Sequence, residues 1–394
     1  MLDKKVCVVG VGYVGLPCAL MLAKSGCKVV GYDLNDDKIR LLNEGHVDDE
    51  LQELYNLSEV RENFTATMQL PRADVFIIAV PTPILQDRKV AELSALADAV
   101  TQVAEVLEKG NLIIVESTVP PMTMRNLVIP IIEKKGLDAA KDIYLAHCPE
   151  RLLPGNVVYE ITYNNRIVGG YTKESAELAA KVYQCFVQGE ISLTDDVTAE
   201  MCKLMENTYR DVNIALANEL SEVCETVGVN TNEAIELANR HPRVNLLKPG
   251  IGVGGHCLPI DPWFIHEVSP YNSTLINAAR HINDGRPARV TDRICKILSQ
   301  DISQKFAILG KTYKEETTDT RESPAGEVFQ RLKDAGYHVV AYDSEVDKDA
   351  SLAETVSGCR YLFVLVRHKK MMQELKEYEA AEKNKGNEVN IVYF

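Results

Sequence analysis

A chain of 394 residues, 46% hydrophobic and 25% charged, has the composition of a globular protein with room for two or three cores. Its net charge of −14 argues against nucleic acid or an anionic membrane as the main partner, and an anionic substrate would need a local basic patch. The ten cysteines lack CxxC or Cys/His ligand spacing, and neither a signal peptide nor a membrane-spanning apolar run is read. The expectation is reduced thiols, a cytoplasmic location and no metal.

Lys5 to Val9 predicts a strand, Gly10-Val11-Gly12-Tyr13-Val14-Gly15 a tight turn, Leu16 to Ser25 an amphipathic helix, and Lys28 to Tyr32 a second strand ending at Asp33. A strand before, a helix after and an acid about 20 residues on make the GxGxxG spacing informative. Gly10, Gly12 and Gly15, with Tyr13 and Val14 in the same turn, bring a helix N-terminus against a pyrophosphate. Asp33 accepts hydrogen bonds from the adenosine ribose and repels a 2′-phosphate, so the expected cofactor is NAD, not NADP. The bland alternative is a glycine-rich α/β turn.

Asp74 to Val80 and Leu112 to Glu116 read as doubly buried strands, ending at Pro81-Thr82-Pro83 and Ser117-Thr118-Val119-Pro120. Thr82 and Thr118 then sit at strand carboxyl ends, where open α/β sheets bind ligands; the competing role is capping the next helix. Ile143 to Ala146 leads into His147-Cys148-Pro149-Glu150, where Glu150 is either an acid/base or a solvated loop carboxylate. Cys148 reads as packing. Arg166 to Gly170 predicts another strand, with a helix from Lys173.

From Asp196 to about Val229 the pattern is one long helix, a spine between domains or a dimer interface. Lys203, Asn207 and Arg210 share a stripe of it at i, i+4, i+7. A polar stripe is usually solvated. Here the apolar neighbours Met205, Val212, Ile214 and Leu216 predict burial, which turns the stripe into an anion or oxyanion site. In His241-Pro242-Arg243-Val244, Arg243 is either a phosphate ligand or a surface side chain.

Pro249 to Trp263 holds Gly250, Gly252, Gly254 and Gly255, then Cys257, Asp261 and the only tryptophan. Such a run lets the backbone approach a ligand, and Cys257 is either a nucleophile served by it or a buried, inert thiol. A helix follows over roughly Thr274 to Ser299. Phe306 to Gly310 (strand), Lys311 to Ser323 (basic loop with Lys314 and Arg321), Ala325 to Ala335 (helix) and His338 to Tyr342 (strand, ending at Asp343) repeat the N-terminal grammar without its glycine fingerprint. Tyr361 to Val366 is a further strand. The repeat predicts a second nucleotide-binding α/β domain for a different nucleotide.

Six segments carry a resemblance over essentially the whole chain: Gly10 through Pro17, Ser117-Thr118-Val119-Pro120, Cys148-Pro149-Glu150-Arg151, Glu200 to Asn207, Gly254-Gly255-His256-Cys257, and Lys314 through Ser323. The sequence resembles the UDP-sugar 6-dehydrogenases, the group that includes UDP-glucose dehydrogenase. Residues 148–155, 207–213 and His241-Pro242-Arg243-Val244 with the glycine run are most similar to the branch acting on UDP-N-acetylmannosamine. The UDP-glucose branch usually has an apolar residue in place of Arg210 and an arginine in place of Asn213. The family usually closes with a strand and a short polar segment; this sequence ends at Asn390-Ile391-Val392-Tyr393-Phe394.

The resemblance implies an α/β fold of two Rossmann-like doubly wound domains joined by a long central helix. Residues 1–195 would bind NAD, 196–299 form the central linker and dimerisation domain, and 300–394 bind UDP. It implies a four-electron oxidation of the sugar C6 alcohol to a carboxylate through a Cys257 thiohemiacetal and thioester. Lys203 and Asn207 would stabilise oxyanions, Asp261 would act as base through a water shared with Thr118, and Glu150 would assist hydrolysis. Gly10, Gly12, Tyr13, Val14, Gly15, Asp33, Thr82, Thr118 and Arg321 would serve NAD. The substrate set would be Glu150, Arg151, Leu152, Lys203, Asn207, Arg210, Asn213, His241, Arg243 (reaching from a neighbouring subunit), Gly250, Gly252, Gly254 and Lys314. The leading expectation is oxidation of UDP-N-acetylmannosamine to its uronate by a cytoplasmic homo-oligomer, at least a dimer. Alternatives are the same chemistry on UDP-N-acetylglucosamine or UDP-glucose, a one-step alcohol dehydrogenase, and a non-catalytic NAD or UDP-sugar sensor.

Overall fold

Val6-Cys7-Val8-Val9, Val75-Phe76-Ile77-Ile78 and Leu112-Ile113-Ile114-Val115 are apolar at every position, and every one of these side chains is buried. That is how a parallel strand covered on both faces reads, because no side chain alternates out to water. The computed structural model describes residues 4–152 and 155–394; Leu153 and Pro154 of the 148–155 motif lie outside the described residues. The chain divides into two compact units, Met1–Glu206 with Trp263–Pro270 and Asn207–Pro262 with Tyr271–Phe394.

The first unit holds strands β1 (Lys5–Val9), β2 (Lys28–Tyr32), β3 (Phe64–Thr67), β4 (Val75–Ile78), β5 (Ile84–Leu85), β6 (Val90–Ala91), β7 (Leu112–Val115), β8 (Tyr144–His147), β9 (Arg166–Gly170) and β10 (Ile191–Asp195). β5 and β6 form a small hairpin of their own, and the other eight make one sheet in the order β10-β9-β8-β7-β4-β1-β2-β3. From β3 to β8 all pairs are parallel, β8 meets β9 antiparallel, and β9 meets β10 parallel. The parallel stretch has the doubly wound order in which the chain reverses direction between β1 and β4. One face is covered by Leu16, Leu20, Leu54 and Val182, the other by Leu96, Val100, Val103 and Ile132.

The second unit carries β11 (Lys305–Leu309), β12 (His338–Tyr342), β13 (Tyr361–Val364) and β14 (Asn390–Tyr393) in the parallel order β12-β11-β13-β14. Val290, Ile294, Val328 and Leu332 pack with Phe306 and Ile308 on one face. Met371 and Leu375 pack with Ala307 and Leu309 on the other. Phe306 meets Phe363 edge to face at 5.5 Å between centroids.

The long helix runs Asp196–Val227, about 48 Å at 1.5 Å per residue. Its buried face is not the one the sequence predicts. Met205 and Leu216 are 55% and 44% exposed, while Ala199, Leu204, Asp211, Ala215, Ala217 and Asn218 are buried. Small and polar residues serve because Asp211 pairs with Arg280 and accepts from Asn283 at 2.8 Å, and Asn218 donates to Asn283 at 2.9 Å. Hydropathy alone points to the wrong face.

Candidate functional site

The glycine turn separates into fold requirement and ligand requirement. Gly10 has φ +90°, and a side chain there would lie 2.7 Å from the Ala79 carbonyl oxygen; at Gly15 a Cβ would lie 1.9 Å from Gly10 O. Those two glycines are demanded by the backbone itself. At Gly12 a Cβ meets nothing within 4 Å, so the space above it is open for a ligand. The following helix, Gly15–Lys24, has no side-chain cap at Val14 and no acid in its first turn, so its positive end is not neutralised by a side chain, although Leu16 N–H already donates to Gly12 O at 3.0 Å. Gly10 N–H donates to Tyr32 O at 2.8 Å and Val11 N–H to Asp33 Oδ2 at 3.2 Å, which fixes Asp33 beside the turn. Lys38 Nζ also reaches Asp33, at 2.9 Å. Tyr13 is half exposed. A diphosphate over Gly12 and a ribose at Asp33 fit this cradle.

Thr82 and Thr118 meet: Thr82 Oγ1 donates to Thr118 O at 2.6 Å, and Ser117 Oγ donates to Val80 O at 2.7 Å. These bonds stitch the ends of β4 and β7 together. Neither threonine caps a helix, since the next helices follow Leu93 and Thr123.

Glu150 is not a solvated loop acid. It is buried, its Oε1 accepting from Arg151 N–H at 2.5 Å and its Oε2 lying 3.3 Å from Arg166 Nη2. Arg166 is also buried and turns Nη1 towards Glu116 at 3.5 Å, with its guanidinium 4.7 Å from the Tyr183 ring. Tyr183 donates to Glu116 Oε1 at 2.7 Å, and the Cys18 thiol points at the same oxygen at 3.6 Å. Burial pushes the Glu116 carboxyl up to about 7 against the pull of Arg166, with Glu150 adding to the rise. Burial opposes the charge on Arg166, yet Glu150, Cys148 and Glu116 around it hold its pKa above the ordinary range. Cys148 is buried, and burial pushes its thiol up to about 12. Arg151 binds Asn165 O at 3.0 Å and pairs with Glu206, while Leu152 packs on the core.

Lys203 is half buried on the long helix. One turn earlier Glu200 accepts from the N–H groups of Met122 at 2.6 Å and Met124 at 2.8 Å, and burial raises it to about 7. Arg125 pairs with Asp196 at 2.8 Å. The start of the helix is thereby tied to the loop that follows Thr118.

In the second unit the glycine run is held from both sides. Gly250 N–H donates to Asn218 at 2.8 Å, and Gly250 O accepts from Arg286 Nε at 2.9 Å. A Cβ on Gly254 would lie 2.5 Å from Glu322 O, and one on Gly255, at φ +86°, would lie 3.1 Å from the Tyr313 ring. Gly252 packs on Pro324 and Pro287. Beyond this run Cys257 is exposed, so its thiol is not the buried, inert alternative. Its carbonyl accepts from Ile260 N–H at 3.0 Å and Asp261 N–H at 2.9 Å, and this turn winds into the helix Asp261–Val268. Asp261 is only 3% exposed and accepts from Asn207 Nδ2 at 2.6 Å. Burial raises the Tyr313 hydroxyl pKa, with Asp319 and Cys257 adding to it and Arg321 and Arg210 opposing.

Arg210 is exposed, and Asn213 donates to Tyr209 O of its own helix at 2.7 Å. His241 and Arg243 are exposed, with Arg243 N–H donating to His241 Nδ1 at 3.3 Å. Arg321 forks onto Asp319 at 2.8 and 2.9 Å. Lys314 lines a cavity of about 590 Å³ together with Lys248, Gly250, Gly252, Arg286 and Phe394. Sequence reasoning passed over Arg286 and Lys248, which no motif marks.

The second Rossmann-like unit repeats the first in backbone but not in ligand chemistry. Gly310 takes φ +94° and donates to Tyr342 O at 2.8 Å, as Gly10 does to Tyr32. Asp343, the counterpart of Asp33, is fully buried, accepting from Lys311 N–H at 2.6 Å and lying 3.1 Å from His368 Nε2. Burial works against its charge, but His368 and these N–H groups outweigh it and hold the carboxyl at about 2. It has no face left for a ribose.

Residues 4–187 match the NAD binding domain of the UDP-glucose/GDP-mannose dehydrogenase family, 197–285 its central domain and 307–389 its UDP binding domain. The chain belongs to this family. It is an NAD-dependent oxidoreductase of the UDP-sugar dehydrogenase type. A relative in Methanocaldococcus jannaschii named UDP-N-acetyl-D-mannosamine dehydrogenase is 45% identical over 98% of this chain and 91% of its own. The structure of the UDP-D-ManNAc dehydrogenase from Pyrococcus horikoshii superposes with a TM-score of 0.87 at 41% identity, covering 93% of this chain and 90% of that one. An NDP-N-acetyl-D-galactosaminuronic acid dehydrogenase of Ralstonia nicotianae is 42% identical over 84% of this chain and 80% of its own. Among the described residues no helix is long and apolar enough to cross a membrane.

Proposed function

We propose that this family member oxidises C6 of UDP-N-acetyl-D-mannosamine from alcohol to carboxylate, giving UDP-N-acetylmannosaminuronate. The observation that carries the chemistry is Cys257: an exposed thiol behind a close-packed glycine run, one turn before the Asn207–Asp261 pair. NAD supplies the hydride acceptor, two equivalents per sugar, and Gly10, Gly12, Tyr13, Val14, Gly15 and Asp33 are the residues to hold it.

Asp261, held by Asn207, accepts the C6 hydroxyl proton in the first oxidation, with Thr118 as its proposed partner. The Cys257 thiolate then bonds to C6 of the aldehyde as a thiohemiacetal, which the second oxidation converts to a thioester. Water cleaves the C6–S bond, releasing the carboxylate and returning the thiol, with Glu150 assisting. Lys203 and Asn207 stabilise negative charge on the C6 oxygen. Lys314 anchors the diphosphate, and Gly250, Gly252 and Gly254 line its approach; Arg151, Leu152, Arg210, Asn213, His241 and Arg243 complete the substrate set, and Thr82 and Arg321 the NAD set. We assign 1–195 to NAD binding, 196–299 to the central domain and 300–394 to UDP binding, a reading the three matched segments support.

A homodimer or larger assembly is supported by exposed Met205, Tyr209, Leu216, Val223 and Val227, which fall on one stripe of the long helix. A cytoplasmic location suits a protein that depends on a reduced thiol. The Ralstonia relative's name keeps a second N-acetylhexosamine in view. Initial rates with UDP-N-acetylmannosamine, UDP-N-acetylglucosamine, UDP-N-acetylgalactosamine and UDP-glucose decide the sugar. The mannosamine compound is expected to give the highest kcat/KM, and preference for another would reassign the substrate. Binding without turnover of all four would overturn the proposed reaction on these sugars and revive the sensor expectation.

A further inference from the structure

We propose that His368 is the positioning residue of the loop 311–323, setting the backbone that presents Lys314 to the nucleoside diphosphate. The proposal rests on the reading of Lys314 as the UDP anchor and extends it to a residue that touches no substrate.

His368 is fully buried at the head of the helix Lys369–Asn384, and both its ring nitrogens are engaged by the loop. Glu316 N–H donates to Nδ1 at 3.0 Å. Nε2 lies 2.9 Å from Thr312 Oγ1 and 3.1 Å from Asp343 Oδ2. Thr312, also fully buried, donates its single hydroxyl proton to Lys314 O at 2.8 Å.

These contacts admit one arrangement of protons. Nδ1 accepts, so the ring proton sits on Nε2; Nε2–H points at Thr312 Oγ1 and Asp343; the Thr312 proton goes to the Lys314 carbonyl. Burial opposes a second proton on the ring, but Asp343 outweighs it and holds the ring's pKa above the ordinary value; that second proton would have to sit on Nδ1, where the Glu316 N–H already points at 3.0 Å, and this geometry selects the neutral ring. The chain Glu316 N–H to His368 to Thr312 to Lys314 O therefore runs in one direction, each member fixing the next.

The loop needs such a hold. Glu316 sits at φ +57° and Glu322 at φ +49°, left-handed backbone that non-glycine residues adopt only when their surroundings impose it. Glu316 is gripped twice, its N–H by His368 and its Oε1 by Lys369 N–H at 2.7 Å. Asp343, which in the first unit's geometry would face a ribose, is diverted to holding this loop through Lys311 N–H, Thr312 N–H and His368. The Asp at the end of β12 is kept for loop architecture, and ligand binding moves to Lys314.

The test is UDP titration by calorimetry with steady-state kinetics on Thr312→Val, Thr312→Ser, His368→Ala, His368→Asn and Lys314→Ala. Thr312→Val keeps the shape and removes the hydroxyl between His368 and Lys314. It is expected to weaken UDP about tenfold and raise the KM of the UDP-sugar in step. Its kcat should stay within about twofold of wild type with the KM for NAD unchanged. Thr312→Ser should restore affinity, and His368→Asn, with an amide oxygen near the Nδ1 position, should bind UDP better than His368→Ala. Folded Thr312→Val with wild-type UDP affinity would overturn the proposal, whatever Lys314→Ala does. Weak binding by Thr312→Val beside wild-type binding by Lys314→Ala would support the loop role and overturn Lys314 as the anchor. Should His368→Ala not fold, Thr312→Val and Thr312→Ser carry the decision.

Discussion

Asn207 donates its side-chain amide to the Asp261 carboxylate at 2.6 Å, joining the long helix to the first residue after the Cys257 turn. The two residues are 54 positions apart in sequence, and each is buried. A buried carboxylate is tolerated where it is hydrogen-bonded, and this bond gives it one orientation. Asn207 therefore has two tasks in the account: it stabilises charge on the C6 oxygen and it holds the base.

Replacing Asn207 by alanine removes a charge-assisted hydrogen bond from a buried acid. Expected losses are about 1.5–3 kcal/mol of stability and about 100-fold in kcat. Lys203→Ala is expected to lower kcat about 100- to 1,000-fold without the stability loss, because Lys203 is only half buried. Chemical denaturation beside steady-state kinetics separates the two, and equal stability losses would remove the distinction.

Asp33 bears on cofactor choice. Asp33→Asn keeps an acceptor for Val11 N–H but removes the charge that Lys38 pairs with and that a 2′-phosphate would meet. The KM for NAD is expected to rise about tenfold, and the preference over NADP to shrink by a similar factor. Unchanged discrimination would place the ribose elsewhere.

The buried acids of the first unit give stability a pH dependence. Glu116 and Glu200 are raised by burial from an ordinary 4.5 to about 7. The folded protein then holds protons that the unfolded chain releases between these values. Stability from each is full below about pH 4.5 and is lost as pH rises through about 7, on the order of 1–3 kcal/mol. Glu116→Gln is expected to melt like wild type at pH 5 and a few degrees higher at pH 8. Parallel melting curves across that range would show that Arg166 keeps Glu116 ionised throughout.

The β1-turn-helix-β2-Asp33 unit and the long helix were readable because local patterns with short-range causes specify them. β3 (Phe64–Thr67) and β14 (Asn390–Tyr393) escaped, being four-residue edge strands whose pairing comes from β2 and β13 rather than from their own composition. Glu150 was placed in its motif, but its environment was not legible. Arg166 starts β9, Glu116 follows β7 and Tyr183 ends the helix Lys173–Tyr183, and only folding brings them to it. Met205 and Leu216 misled because an apolar side chain reads as core whether it faces this chain's interior or its surface. Asp343 misled in the opposite way, repeating the position of Asp33 while a histidine 25 residues later takes its carboxylate inward.

The most direct test of the central claim counts NADH formed per molecule of limiting UDP-N-acetylmannosamine, for the wild type and for Cys257→Ser. A covalent thiol intermediate predicts two NADH from the wild type and no more than one from the variant, whose hydroxyl replaces the thiol that the second oxidation requires. Two NADH from Cys257→Ser at the wild-type rate, or one from the wild type, would contradict it and make Cys257 a bystander.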